Sequence, residues 1–192
     1  ETGAITHKHG QERTEITEPV PDHGYGLSEV LRLFEEQGPS LADAHIVAVG
    51  HRVVQGGRYF SGPALIDDDV VARIEQLVPL GPLHNPAHLK GIEVGRRLLS
   101  DVPHVAVFDT AFFQDLPEEA ARYALDREVA DTYSIRRYGA HGTSHQFVSG
   151  AVSEFLGRDD LKQVVLHLGN GASASAVVAG HAVDTSMGLT PL

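Results

Sequence analysis

Two short apolar runs, each leading into a polar functional residue, decide the fold class of this chain. The first is IVAVGHR, residues 46–52, in which a predicted strand over residues 46–49 leads to Arg52. The second is VAVFDT, residues 105–110, in which the apolar residues lead to Asp109. Continuous apolar runs of this length are typical of buried strands, and ligands bind at the carboxyl ends of such strands in open α/β sheets. We therefore expect Arg52 and Asp109 to face one cleft.

Helical signals alternate with these strands. The apolar spacing over residues 27–34 predicts an amphipathic helix, and the three aspartates at 67–69 suit the first turn of another, where negative charge is favourable. Asn85 can cap a third helix, and Thr143 or Ser144 can cap a fourth. Strands that alternate with helices predict an α/β fold.

The C-terminal part of the chain carries an antiparallel pattern. Asn170-Gly171 is a strong hairpin signal between an apolar run that begins at residue 164 and a returning strand over residues 172–178. A further strand is predicted over residues 182–187. The HLGNG segment, residues 167–171, could present backbone N–H groups to phosphate oxygens, although a plain hairpin explains the same residues.

Composition excludes several classes of protein. The 192 residues are 42% hydrophobic, with 15 basic residues, 26 acidic residues, a formal charge of −11 and no cysteine. A disordered chain, a broad nucleic-acid surface and a disulfide framework are therefore not expected. The lack of cysteine suits a reducing compartment, so we expect a cytoplasmic protein. No apolar run approaches the roughly 18–20 residues of a membrane span, so we expect no association with a membrane. A chain that begins with glutamate and has no closing polar tail reads as a piece of something longer.

The isolated functional residues leave alternatives open. Arg52 offers a planar charged fork for a carboxylate or phosphate, or it forms an ordinary salt bridge. Asp109 could position a proton, a metal or a transferring group, or it could cap a turn. The i, i+4 pair of His141 and His145 has metal-ligand spacing, as does the pair of His84 with residue 88, but no HExxH motif or cysteine supports zinc. We expect no metal site and interpret the loop histidine as a hydrogen-bond donor.

Six motifs in order identify a resemblance to the acetate kinase family. They are VGHRVVQGG (49–57), PLHNP (82–86), FDTAF (108–112), RRYGAHGTSH (136–145), HLGNG (167–171) and DTSMGLTPL (184–192). The resemblance is continuous from about Val49 to Leu192, and the first 45 residues match only loosely.

The resemblance implies the duplicated ribonuclease-H-like α/β fold of the acetate and sugar kinase, Hsp70 and actin superfamily. Only its middle part is expected here. Residues 1–111 would be the remainder of the N-terminal domain, and residues 112–192 the first part of the C-terminal domain. The upstream phosphate loop and the downstream arginine, adenosine-binding segments and magnesium-binding glutamate of the family would lie outside this chain, which we expect to be inactive alone.

The resemblance also implies a function and site residues. The function is MgATP-dependent, reversible phosphorylation of acetate to acetyl phosphate and ADP. The resemblance also implies a homodimer. Asp109 and His141 resemble the catalytic residues, and Arg52 the arginine that holds the substrate carboxylate. The other expected site residues are Val54, Leu83 and Pro191 around the acetate methyl group, His84 as a supporting donor, and His167, Leu168, Gly169, Asn170 and Gly171 at the ATP phosphates. Mg²⁺ ligands are expected outside this chain.

Three positions depart from the pattern of many relatives. Ala140 stands where phenylalanine is common, Leu189 replaces a common phenylalanine, and Gln55 a common histidine. Since the loss of a ring at Ala140 would enlarge an acyl pocket, some turnover of propionate is expected. A propionate or butyrate kinase, or an inactive nucleotide-binding piece, remains the alternative reading.

Overall fold

The computed structural model describes residues 2–38, 40–41 and 43–189, which contain both strands and helices. The strands are β1 (Thr2–His9), β2 (Glu12–Pro19), β3 (Val49–Val53), β4 (Ala64–Leu65), β5 (His104–Phe108), β6 (Lys162–Leu168), β7 (Ala172–Val178) and β8 (His181–Thr185). The α-helices are α1 (His23–Gln37), α2 (Asp68–Gln76), α3 (Asn85–Leu98), α4 (Glu118–Ala121), α5 (Arg127–Thr132) and α6 (Gly142–Leu156). No helix in this part of the chain combines the length and the apolar character needed to span a bilayer.

The chain divides into two compact units. One comprises Glu1–His51 and Ala87–Val105, and the other comprises Arg52–Pro86 and Ala106–Leu192. The predicted domain boundary between residues 111 and 112 does not coincide with a boundary between these two units. It stays a prediction.

The first unit contains an antiparallel hairpin and a capped helix. β1 pairs with β2 in a continuous register from Thr2 opposite Pro19 to His9 opposite Glu12. The hairpin turns at Gly10, whose φ of 61° suits a residue without a side chain. α1 begins after Asp22, whose carboxylate accepts a hydrogen bond from a backbone N–H in the first turn. This helix includes the predicted helical segment over residues 27–34.

β3 begins three residues later than the apolar run predicts. It spans Val49–Val53, so Arg52 lies within the strand, and Val47 is 81% exposed. The expectation of a strand over residues 46–49 is therefore wrong. Strand ends are set by backbone pairing, and here the backbone N–H of Val49 donates to the carbonyl of Pro103 at the start of the strand. β5 begins one residue before the predicted apolar run and ends before Asp109.

An aromatic stack forms part of the core of the second unit. The rings of Phe60 and Phe108 lie 4.1 Å apart and nearly parallel. Val53 and Ile74 are fully buried. Because Phe108 is the last residue of β5, packing of its ring holds the carboxyl end of that strand, where Asp109 follows.

The two three-stranded sheets differ in strand order. The first has the strand order β3-β5-β4, which brings the ends of β3 and β5 side by side. The second has the order β6-β7-β8 and is antiparallel, as the sequence predicts. Residues 169–171 connect β6 to β7.

Asn85 connects the start of α3 to the segment that follows β3. The residue is fully buried, its Oδ1 accepts from the backbone N–H of Gln55 at 3.2 Å, and its Nδ2 donates to the carbonyl of Gln55 at 3.1 Å. The side-chain amide therefore pairs with both backbone polar groups of one residue, because it offers one acceptor and one donor.

We expect Asn85→Asp to lower the free energy of unfolding by at least about 2 kcal/mol, because a carboxylate leaves the Gln55 carbonyl unpaired and buries a charge. Urea unfolding of the natural protein would measure this change. Gln146→Glu makes the same chemical change at an exposed position of α6 and serves as the control, with an expected change within about 0.5 kcal/mol. Equal effects of the two substitutions would contradict the role of Asn85.

Candidate functional site

A cleft of about 650 Å³ lies in the second unit. Its lining includes Arg52, Asp109, His141, His167 and Gly171. Arg52 lies in β3, and Asp109 follows β5. His141 directly precedes α6, His167 lies in β6, and Gly171 lies in the turn between β6 and β7. The expectation that Arg52 and Asp109 face one cleft is thus met by their positions.

Asp109 is a fully buried carboxylate with two hydrogen-bonding partners. Arg52 donates through Nε to Oδ1 at 3.2 Å and through Nη2 to Oδ2 at 2.5 Å. Thr143 donates through its hydroxyl to Oδ1 at 2.9 Å. A buried carboxylate costs several kcal/mol unless it is paired in this way. The Arg52 side chain is itself 54% exposed, so part of the guanidinium remains open to a ligand.

His141 lies directly before α6 in a left-handed backbone conformation. Its φ is 58° and its ψ is 22°, and such values are uncommon for a residue with a side chain. The imidazole stacks on His167 with a ring separation of 4.1 Å, and its Nδ1 lies 2.9 Å from the hydroxyl of Ser173. Burial lowers the pKa of His141, and the neighbouring His167 lowers it further. The neutral ring is therefore favoured near pH 7.

Thr143 and Ser144 do not cap α6, so that prediction is wrong. The capping position belongs to His141, and helix α6 begins at Gly142. Both hydroxyls have partners on the cleft instead: Thr143 donates to Asp109, and the Ser144 hydroxyl lies 3.0 Å from Nδ1 of His167. Polar partners within the fold compete with the local capping geometry for these side chains.

The turn between β6 and β7 borders the cleft. The backbone N–H of Gly169 donates to the carbonyl of Gly171 at 3.0 Å, and Asn170 and Gly171 lie on the lining. A Cβ added to Gly171 would lie 3.3 Å from Cε1 of His141, so the turn approaches that ring closely. Leu168, by contrast, is 79% exposed.

The residues expected around the acetate methyl group, Val54, Leu83 and Pro191, and the expected supporting donor His84 differ in their positions. Val54 and His84 line the cleft, and so do Ala140 and the buried Met187. Leu83 is 86% exposed and is not on the lining that the structure describes. Pro191 lies outside the described residues.

The described residues do not fit a magnesium site by themselves. No group of three or more histidine, cysteine, aspartate or glutamate side chains in residues 2–38, 40–41 and 43–189 is arranged to hold a metal ion. Asp109 lines the cleft, but its oxygens already bond Arg52 and Thr143. We therefore derive no step through a metal from these residues.

Sequence reasoning missed the hydroxyl groups that support the histidines. Nε2 of His145 lies 2.8 Å from Oγ of Ser173, and its Nδ1 lies 2.8 Å from Oγ of Ser175. A signal was present in ASASA, residues 172–176, because alternate residues of a strand share one face. The i, i+4 spacing of His141 and His145 suggests a metal motif on a helix, whereas in the structure both imidazoles lie within hydrogen-bonding distance of Ser173.

Comparisons with known proteins agree with one another. The model of the acetokinase family matches residues 1–192. An acetate kinase of Corynebacterium aurimucosum is 54% identical over 99% of this chain and 47% of its own length, and one of Clavibacter michiganensis subsp. michiganensis is 54% identical over 100% of this chain and 49% of its own. The chain thus spans about half the length of the curated relatives it matches.

Solved structures of similar proteins support the fold. A propionate kinase from Francisella tularensis subsp. tularensis has a TM-score of 0.89 at 42% identity, covering 98% of this chain and 48% of that one. The acetate kinase of Porphyromonas gingivalis has a TM-score of 0.86 at 41% identity, covering 94% of this chain and 46% of that one.

Gly142 has no space for a side chain. A Cβ at this position would overlap the backbone carbonyl oxygen of Asp109. We expect Gly142→Ala to push α6 away from Asp109 and to lower the unfolding midpoint of the natural protein, by an amount equivalent to about 1–3 kcal/mol. Gly150→Ala on the same helix meets open space and should be neutral or slightly stabilising, since alanine favours helices. A similar midpoint for both variants would show that the contact is not tight.

Proposed function

The chain belongs to the acetokinase family, and from that premise we propose that the protein containing it transfers the γ-phosphoryl group of ATP reversibly to acetate, giving acetyl phosphate and ADP. The family match includes the first 45 residues, which the motifs reached only loosely. The resemblance drawn from the six motifs and the predicted fold class are both confirmed. The activity, the substrates and the site roles of the whole protein are the proposal.

The proposal rests on the observation that Arg52, Asp109 and His141 all line one cleft. A reaction of this kind needs a cation for the carboxylate of the acceptor and a donor for the oxygens of the transferring phosphoryl group. Catalysis of phosphoryl transfer comes almost entirely from such positioning and charge stabilisation. Arginine and histidine in the same cleft can supply both.

Arg52 is proposed to bind the acetate carboxylate. Its guanidinium has five N–H donors, and two of its nitrogens already bond Asp109, which fixes the plane of the group. The exposed part of the side chain can donate to a carboxylate at the same time. Asp109 is thus proposed to act in catalysis by orienting Arg52 against the reacting groups.

The transfer itself conserves atoms and charge. A carboxylate oxygen of acetate forms a bond to the γ-phosphorus, and the bond from that phosphorus to the oxygen bridging to the β-phosphate breaks, leaving ADP. His141 is proposed to donate to the equatorial oxygens of the γ-phosphoryl group during transfer. His84, on the lining of the cleft, is proposed as a supporting donor.

The end of β6 and the turn that follows it are proposed to hold the ATP phosphates through His167, Leu168, Gly169, Asn170 and Gly171. In support, Asn170 and Gly171 line the cleft beside His141, and glycine permits close approach of a phosphate to the backbone. Mg²⁺ is proposed to accompany ATP, with ligands outside the described residues.

The acyl pocket is proposed to involve Val54, Leu83 and Pro191. Val54 on the lining supports this, whereas Leu83 would have to gain contacts that it lacks in this structure. Two assignments rest on the resemblance alone: a homodimer, and a domain boundary between residues 111 and 112.

Propionate is a second candidate substrate. One of the similar solved structures is a propionate kinase, and Ala140 lies on the lining of the cleft beside His141. The small side chain at this position leaves room that a phenylalanine would fill.

The proposed function is tested by trapping acyl phosphate as hydroxamate, with the whole natural protein, ATP and either acetate, propionate or butyrate. Activity led by acetate is the expected result. A folded protein that binds ATP and forms no acyl phosphate would overturn the proposal in favour of a non-catalytic relative.

Arg52→Ala should raise the KM for acetate about 10- to 100-fold, which is the effect of losing a charge-assisted hydrogen bond of about 1.5–3 kcal/mol. Arg158→Ala is the matched control, because Arg158 also pairs with an aspartate, Asp160, but at the exposed surface. Steady-state kinetics with varied acetate would measure both. If Arg52→Ala only lowered stability and left the KM unchanged, the arginine would be a structural partner of Asp109.

Ala140→Phe should shift the preference of the enzyme toward acetate. The added ring occupies space at the cleft, and one methylene in an apolar pocket is worth about 1–3 kcal/mol, or 10- to 200-fold in relative kcat/KM. The ratio of kcat/KM for propionate to that for acetate is the measurement. An unchanged ratio would place the acyl pocket elsewhere.

A further inference from the structure

His145 and Ser173 form a hydrogen-bonded chain behind His141. The Ser173 hydroxyl lies 2.9 Å from Nδ1 of His141 and 2.8 Å from Nε2 of His145, and Nδ1 of His145 lies 2.8 Å from the hydroxyl of Ser175. His145, Ser173 and Ser175 are all buried. We propose that Ser173 and His145 are positioning residues that hold His141 in the tautomer with its proton on Nε2. This inference rests on the proposed function of His141 as a donor.

The chain follows from the spacing of its members. His141 and His145 are separated by one turn of helix, so their side chains reach the same side of α6. Ser173 and Ser175 are two residues apart in β7, so their side chains share one face of the strand. The ring of Phe113 packs edge-on against His145 at 5.9 Å and limits its rotation.

Hydrogen counting allows two arrangements in which the Ser173 proton is used within this chain. The Ser173 hydroxyl has one proton, so when it donates to one imidazole it can only accept from the other. In the first arrangement, Ser175 donates to His145, Nε2–H of His145 donates to Ser173, and Ser173 donates to Nδ1 of His141. His141 then carries its proton on Nε2. In the second arrangement every bond is reversed, and Nε2 of His141 is an acceptor.

The position of Nε2 selects the first arrangement for the proposed reaction. Nε2 and Cε1 of His141 face Gly171 in the turn proposed to hold the phosphates. An acceptor nitrogen there would repel phosphoryl oxygens, whereas an N–H would bond them. The relay from Ser175 through His145 and Ser173 therefore makes a neutral imidazole act as a donor.

A neutral ring is what the surroundings of His141 favour. The ring faces His167, Arg52, Asp109 and the more deeply placed His145; burial first, and then His167 and Arg52, lower the pKa of His141, while Asp109 opposes them. Burial also lowers the pKa of His145, with added effects of His167 and His141. Since a neutral imidazole has a single N–H, its direction matters above the pKa. Below the pKa both nitrogens carry protons, and the relay is no longer needed.

Direct measurement of the tautomer tests the inference without any variant in the relay. The ¹⁵N chemical shifts of His141 in the whole protein, labelled at histidine and assigned with a His141→Gln sample, should show a protonated Nε2 and an unprotonated Nδ1 at pH 8. The opposite pattern would overturn the inference. Because this readout does not use activity, it remains decisive even if the proposed kinase function fails in the hydroxamate assay.

Kinetics of Ser173 variants provide the second test. Ser173→Ala should lower kcat at pH 8 by about 10- to 100-fold, the range found when supporting partners of metal-bound histidines are removed. The KM for acetate and ATP should stay close to the wild-type value. The deficit should shrink as the pH falls below the lowered pKa of His141, because the imidazolium carries N–H groups on both nitrogens. Ser173→Thr, which keeps the hydroxyl, should restore activity.

Ser149→Ala is the matched control. Ser149 is a buried residue of α6 whose hydroxyl donates to the carbonyl of Gln146. Its own backbone carbonyl accepts from the side-chain amide of Gln163. Its removal should leave the pH profile unchanged. A Ser173→Ala deficit of equal size at every pH, together with a lowered unfolding midpoint, would mean that Ser173 is merely structural and would overturn the inference.

Discussion

The buried carboxylate of Asp109 is the constraint on which the geometry of the cleft depends. A fully desolvated charge must be paired, and the pairing here comes from two different elements. Arg52 reaches it from β3, and Thr143 reaches it from the first turn of α6. The backbone N–H of Asp109 also donates to the carbonyl of Val53 at 2.9 Å. One residue thus fixes a strand end, a cation and a helix start relative to one another.

Local patterns were sufficient for the elements and for part of the site. The run over residues 105–108 predicted β5 and placed Asp109 at its end, since a continuous apolar run needs no distant information to be recognised. The same logic misplaced β3, because the apolar run over residues 46–49 only partly overlaps the backbone pairing that defines the strand. Arg52 lies on the cleft nonetheless, because an error of a few residues in the bounds of β3 does not change the sheet edge at which this strand ends.

The side-chain partners of the site could not be predicted in this way. Thr143 and Asp109 are 34 residues apart, and His141 and Ser173 are 32 residues apart. A hydroxyl just before an apolar helix reads locally as a cap, and nothing in its neighbourhood shows that a buried carboxylate competes for it. The motifs that carry the resemblance include Arg52, Asp109 and His141, but the hydrogen-bond partners of Asp109 and His141 become visible only in the folded structure.

The left-handed backbone conformation of His141 links the position of its imidazole to that of Asp109. Such a backbone costs about 1–3 kcal/mol for a residue with a side chain and persists only where its surroundings impose it. Two sets of contacts surround it here. The ring is held by Ser173 and stacks on His167, while the next residue, Gly142, lies too close to the Asp109 carbonyl to carry a side chain. A change in either set of contacts would turn the imidazole of His141. The positions of His141, the proposed donor to the phosphoryl group, and of Asp109, which pairs with Arg52, therefore depend on the same short stretch of backbone.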